Sequence, residues 1–103
     1  MEKGYSQERI IILNPMDNVG IIKKDVSKGE KIIIDKEKFQ NSIEVKNNIP
    51  YRFKIALENI DIGDTIIKSG EIIGKAKEKI QKGEMVHVHN IEGLRGRGDL
   101  KNK

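Results

Sequence analysis

The sequence predicts a small, mainly-β domain of short strands and hairpins, with at most one or two short helices. Ile and Val outnumber Leu and Ala about four to one, and β-branched side chains suit a pleated, half-buried surface better than a helix. Short aliphatic runs are punctuated by glycine-containing turn clusters, the signature of hairpins. A degenerate strand–turn–strand pattern recurs three times, as Ile21-IKKDVSKGEKI, Ile55-ALENIDIGDTI and Gly74-KAKEKIQKGEMV. Its glycines, Gly29, Gly63 and Gly83, stand where a tight turn needs positive φ. Their spacing is irregular, which suits a folded-over β structure rather than a solenoid with a fixed period.

Taken in order, residues 1–8 are expected to be a flexible N-terminus, 9–91 the folded domain and 92–103 a Gly/Arg-rich tail. Strand candidates are Ile10 to Leu13, Val19 to Ile22, Lys31 to Ile34, Thr65 to Ile67, Ile72-Ile73 and Met85 to His89. Residues 35–48 are polar and weakly patterned, a loop or a variable hairpin. The stretch Ile66 to Ile73 is expected to turn back at Ser69-Gly70. A short helix around Lys75 to Ile80 would be ended by Gly83.

The 103 residues suit one domain with a thin core, too small to enclose an active site by itself. The net charge of +4 comes from 20 basic residues interleaved with 16 acidic ones, and aromatic residues are 4% with no Trp. A basic nucleic-acid face with stacking platforms is therefore not expected. The absence of cysteine excludes disulfides, thiolate metal sites and a cysteine nucleophile. The polar start MEKGYSQER has no secretory h-region, and no apolar run approaches a membrane span. A cytoplasmic protein without membrane contact is the expectation.

Four features could carry chemistry. In Val86-His87-Val88-His89-Asn90, a strand would put both imidazoles on one face, with backbones roughly 6–7 Å apart. Such a pair can contribute to a site for iron, zinc or manganese, or can be two surface histidines on an edge strand; further ligands would come from elsewhere or from another chain. In Pro15-Met16-Asp17-Asn18, Asp17 and Asn18 suit a turn by bonding nearby backbone, with a ligand contact as the second role. In Tyr51-Arg52-Phe53-Lys54-Ile55, alternation would put Arg52 and Lys54 on one face, able to hold the carboxylate of an acidic substrate or merely solvated. The tail offers Arg95 and Arg97 between glycines, as well as an Arg97-Gly98-Asp99 run with no extracellular context to give it meaning.

The ordered set Asn14-Pro15-Met16-Asp17-Asn18-Val19, Lys54-Ile55-Ala56-Leu57, Ile66-Ile67-Lys68-Ser69-Gly70, Ile73-Gly74 and Gly83-Glu84-Met85-Val86-His87-Val88-His89-Asn90 resembles the SAF domain of the altronate/galactarate dehydratase family. That family also includes a sulfolactate sulfo-lyase. The resemblance covers most of residues 12–99. It implies a β-clip fold and a part in dehydrating a sugar acid with a divalent metal, Fe2+ first and Mn2+ second. It also implies a large catalytic dehydratase subunit as partner, without which this chain would be inactive. Lys54, His87 and His89 would then be catalytic, with His87 and His89 facing the metal and Asp17, Asn18, Arg52 and Asn90 contacting substrate. Two positions depart from the family pattern: Phe53 stands where a histidine is usual, and Ser69 where a tyrosine is usual. A non-catalytic module that binds a sugar acid or a partner is the alternative, and a homo-oligomer a third arrangement.

Overall fold

The computed structural model describes residues 4–34 and 42–93. The described residues are all-β, with ten short strands and no helix. A five-stranded antiparallel sheet runs β1 (Tyr5–Ser6), β2 (Ile10–Ile12), β3 (Val19–Ile22), β6 (Lys54–Ala56), β9 (Met85–Val86). A hairpin of β4 (Lys31–Ile33) and β5 (Ser42–Glu44) forms a second sheet. The third runs β10 (Ile91–Gly93), β8 (Glu71–Ala76), β7 (Thr65–Lys68).

Two apolar clusters hold these sheets together, and β6 feeds both. Ile55 packs with Ile10, Ile12, Ile22, Ile32 and Ile43 in the first; Ala56 packs with Val19, Ile60, Ile66, Ile80 and Val86 in the second. Period-2 alternation explains the split, since neighbouring residues of a strand face opposite ways. Gly20 lies where a Cβ would press on the Ile10 and Leu57 side chains, so a larger residue there would make that packing shift.

The three-fold turn pattern is real and more specific than the sequence suggested. Val26, Ile60 and Ile80 are each buried just before their turn, and Gly29, Gly63 and Gly83 take φ of 94°, 88° and 95°. The acid after each glycine reaches back to close the turn. Glu30 accepts the Ser27 N–H at 2.9 Å, Asp64 that of Asp61 at 3.1 Å, and Glu84 that of Gln81 at 2.8 Å. The Ser69-Gly70 turn also forms, with φ of 56° and 76°, between β7 and β8.

Several sequence expectations shift. The short helix around Lys75 to Ile80 does not form: Lys75 and Ala76 finish β8, paired with Glu92 and Ile91, and Ile80 bridges Ile60. Pairing to strands distant in sequence outweighs local helix preference here. Of residues 35–48, 42–44 form the second arm of a hairpin with β4, while 35–41 lie outside the described residues. β1 falls inside the stretch expected to be a flexible N-terminus, pairing Tyr5 with Ile12 and Ser6 with Ile11. β10 starts at the last residue of the expected domain and runs two residues into the expected tail; Arg95, Arg97 and the Arg-Gly-Asp run lie outside the described residues.

Candidate functional site

The strand expected from Met85 to His89 stops at Val86. Asn90 is the cause. Its side-chain oxygen accepts the His87 N–H at 3.0 Å, and its amide donates to Met85 O at 2.9 Å. The backbone N–H groups of Asn90 and Ile91 both donate to His87 O, at 3.0 and 3.1 Å. Residues 87–90 are thereby wound into a turn, and the same-face spacing of a strand does not apply to His87 and His89. Asn90 itself is buried at 3% exposure, with both side-chain groups committed to this turn.

The half-buried His87 ring lies against Phe53, with centroids 4.8 Å apart and planes at 55°. Val88 is 70% exposed, and His89 is exposed beside it. Among the described residues, no group of three or more His, Cys, Asp or Glu side chains converges as a metal site would require. Among the described residues the two imidazoles are therefore at most part of a donor set.

Arg52 and Lys54 do not share a strand face. Residues 50–53 form a turn, closed by Phe53 N donating to Pro50 O at 3.1 Å, and Arg52 sits at φ 78°. β6 begins only at Lys54, so alternation does not reach back to Arg52. The Arg52 guanidinium instead lies over the Tyr51 ring, 5.0 Å from its centroid.

Lys54 lies directly opposite Ile21 on β3 and Val86 on β9. It is half-buried, and its ammonium is held below the ordinary lysine range by burial and then by the charge of Lys68. Lys68, whose charge acts on Lys54, is not among the residues singled out from the sequence as catalytic or substrate-binding. Its signal lay in Ile66-Ile67-Lys68, where strand alternation puts Lys68 on the face of the buried Ile66.

Asp17 and Asn18 fasten the two larger sheets together. Asp17 is 1% exposed. Its carboxylate accepts the N–H groups of Asn14 at 3.1 Å, Ser69 at 2.9 Å and Gly70 at 2.8 Å. Asn18 behaves like a strand neighbour of β7, donating its amide to Thr65 O at 2.9 Å and accepting the Ile67 N–H at 2.8 Å. Asn14 completes this corner: it accepts the Met16 N–H at 2.8 Å and packs over Gly70.

A broad open groove of about 640 Å³ lies elsewhere, between the β4–β5 hairpin and the turns at Asn59 to Asp61 and Lys79 to Lys82. None of the residues singled out from the sequence as catalytic or substrate-binding lines it.

The profile of the altronate/galactarate dehydratase SAF domain matches residues 8–94. The chain belongs to that family. It is 41% identical over 82 residues to an altronate dehydratase of Bacillus subtilis, covering 80% of this chain and 16% of that protein. It is 40% identical over 52 residues to a (2R)-sulfolactate sulfo-lyase subunit alpha of Chromohalobacter salexigens, covering 50% of this chain and 55% of that subunit. The corresponding subunit of Paracoccus pantotrophus is 42% identical over 50 residues, 48% of this chain and 75% of that subunit. The chain thus spans only a small part of the altronate dehydratase it matches. Within this SAF domain, Phe53 packs against the His87 ring in a tilted arrangement.

Among the described residues, no helix is long and apolar enough to cross a membrane.

Proposed function

We propose that this SAF domain is the small module of a sugar-acid dehydratase of the altronate/galactarate type, working in the cytoplasm with a separate large catalytic subunit. The family match over residues 8–94 carries this proposal, and the relatives named as subunit alpha support a division between chains. Eliminating water β to a carboxylate requires a base at the α-carbon, an acid at the departing hydroxyl and a fixed carboxylate. Lys54 supplies the last: a half-buried cation on a rigid strand fixes one end of the acid in a way a flexible surface lysine cannot. His87, steadied by Phe53 and by the Asn90 turn, and the exposed His89 face the second chain. There they exchange protons with the substrate or complete a ligand set.

A divalent metal, Fe2+ with Mn2+ second, belongs to the proposal as a Lewis acid for the leaving hydroxyl. We assign its remaining ligands to the large subunit; the described residues of this chain bring no third donor to the imidazoles.

Mixing the purified chain with the large subunit tests the proposal. The chain alone should show no turnover of altronate, the mixture should turn it over, and His87→Ala with His89→Ala should abolish that activity. Robust turnover by the chain alone refutes the two-chain arrangement. Survival of activity in the double variant favours the alternative, a non-catalytic module that binds a sugar acid or its partner. One observation already leans that way: Phe53 can neither bind metal nor move a proton where the family usually has histidine. A stable symmetric assembly of this chain, with no larger subunit bound, would point to a homo-oligomer instead.

A further inference from the structure

Lys54 and Lys68 come from two different sheets and border the same apolar cluster. On β6, Lys54 shares its face with Ala56, which packs in the second cluster. On β7, Lys68 shares its face with Ile66, which packs in that cluster too. The irregularity in the β7–β8 pairing leaves the extra residue, Ile73, on β8, so the alternation along β7 is undisturbed. Both residues are half-buried, each on the strand face that carries a member of this cluster, so their stems can lie along apolar surface while the ammonium groups reach water.

Among the described residues, neither ammonium has a hydrogen-bond or ion-pair partner. The buried carboxylate on the same side of the fold, Asp17, is already committed to three backbone N–H groups. Two cations placed close together at an apolar margin repel each other, and the fold bears that cost unless an anion sits between them. The Lys54 ammonium is held below the ordinary lysine range by burial first and by the charge of Lys68 second, so the two cations act on each other.

We propose that Lys54 and Lys68 together hold one carboxylate of a small hydroxy acid, making Lys68 a substrate-positioning residue not assigned by the sequence. The choice of a hydroxy acid rests on the dehydratase role; the two-lysine anion site does not. Carboxylate held by two ammonium groups is fixed in direction as well as place, which a single point charge cannot achieve.

The test uses the isotopically labelled 103-residue chain, with the side-chain signals of Lys54 and Lys68 followed by NMR. Sodium altronate is the probe, and the neutral polyol altritol in matched sodium chloride is the control. Altronate should shift both lysines along one saturation curve, and altritol neither. Lys68→Gln, its fold checked by the amide spectrum, should move the Lys54 titration up toward its ordinary range. It should also weaken altronate binding at least about tenfold, equivalent to about 1.4 kcal/mol. Lys68→Arg should keep the binding. An unchanged Lys54 titration in Lys68→Gln overturns the pairing, and altronate shifting neither lysine overturns the site. Shifts that appear only on adding the large subunit would assign the lysines to a protein carboxylate and likewise overturn it. The dehydratase role fails separately. Acid binding without turnover in the mixture removes catalysis and leaves the site, whereas turnover by Lys68→Gln at unchanged KM removes the site and leaves catalysis.

Discussion

Replacing Asp17 by alanine removes the fastening between the loop after β2 and the turn between β7 and β8. Three backbone N–H groups lose their acceptor at once: those of Asn14, Ser69 and Gly70. A hydrogen bond to a charged group contributes about 1.5–3 kcal/mol net, and a buried donor left unmade costs about 1–3 kcal/mol. Ser69 and Gly70 are exposed, so water can replace part of what they lose. We expect a loss of about 3 kcal/mol, set against a total of roughly 5–15 kcal/mol for a domain of this size. Asp17→Asn should cost about half as much, because the amide keeps one oxygen but turns an N–H toward at least one donor. Urea unfolding followed by circular dichroism reads both. With a slope of about 1–3 kcal/mol/M, Asp17→Ala should lower the midpoint by about 1–3 M at unchanged slope. A drop below about 0.3 M would mean that this carboxylate does not tie the sheets together.

Three further outcomes are expected. Gly29 and Gly83 have nearly the same φ, 94° and 95°, but a Cβ at Gly29 meets open space whereas one at Gly83 falls on the Glu44 carbonyl oxygen. Gly29→Ala should therefore cost only backbone strain, about 1–2 kcal/mol, and Gly83→Ala clearly more; equal melting shifts would contradict this. Lys54→Met should raise stability at neutral pH. The folded-state pKa of Lys54 lies below its unfolded value, so wild-type stability rises as pH climbs from the folded toward the ordinary value, and the variant's advantage shrinks across that window. A variant less stable than wild type at neutral pH would sink that explanation. Phe53→Ala removes the ring contact to His87 and packing against the first cluster. It should cost about 2 kcal/mol, less than the 3–5 kcal/mol of a fully buried phenylalanine, and thermal unfolding with no measurable shift would count against it.

Much of this fold was legible because its cues are local. An excess of β-branched residues and alternation with a period of two already define strands, and a glycine at positive φ defines a turn whatever surrounds it. Val19 to Ile22 and the Ser69-Gly70 turn stand as the pattern predicts. The Lys75 to Ile80 segment was misjudged because its best partners, Glu92, Ile91 and Ile60, come from elsewhere in the chain. The Arg52–Lys54 face failed for a related reason. Alternation is informative only inside a strand, and β6 starts at Lys54.

The sequence by itself determined the fold class, the three glycine turns and membership of the dehydratase SAF family, each of which rests on residue type and short spacing. Only the tertiary structure decided what each side chain does. It spends Asp17, Asn18 and Asn90 on backbone hydrogen bonds, ends β9 before its histidines, sets Phe53 against His87 and lets the charge of Lys68 act on the half-buried Lys54 from another sheet. Asp17 and Gly70 are 53 positions apart. A donor finds its acceptor over such a separation only once packing has brought the strands together, and no periodicity in the chain records that meeting.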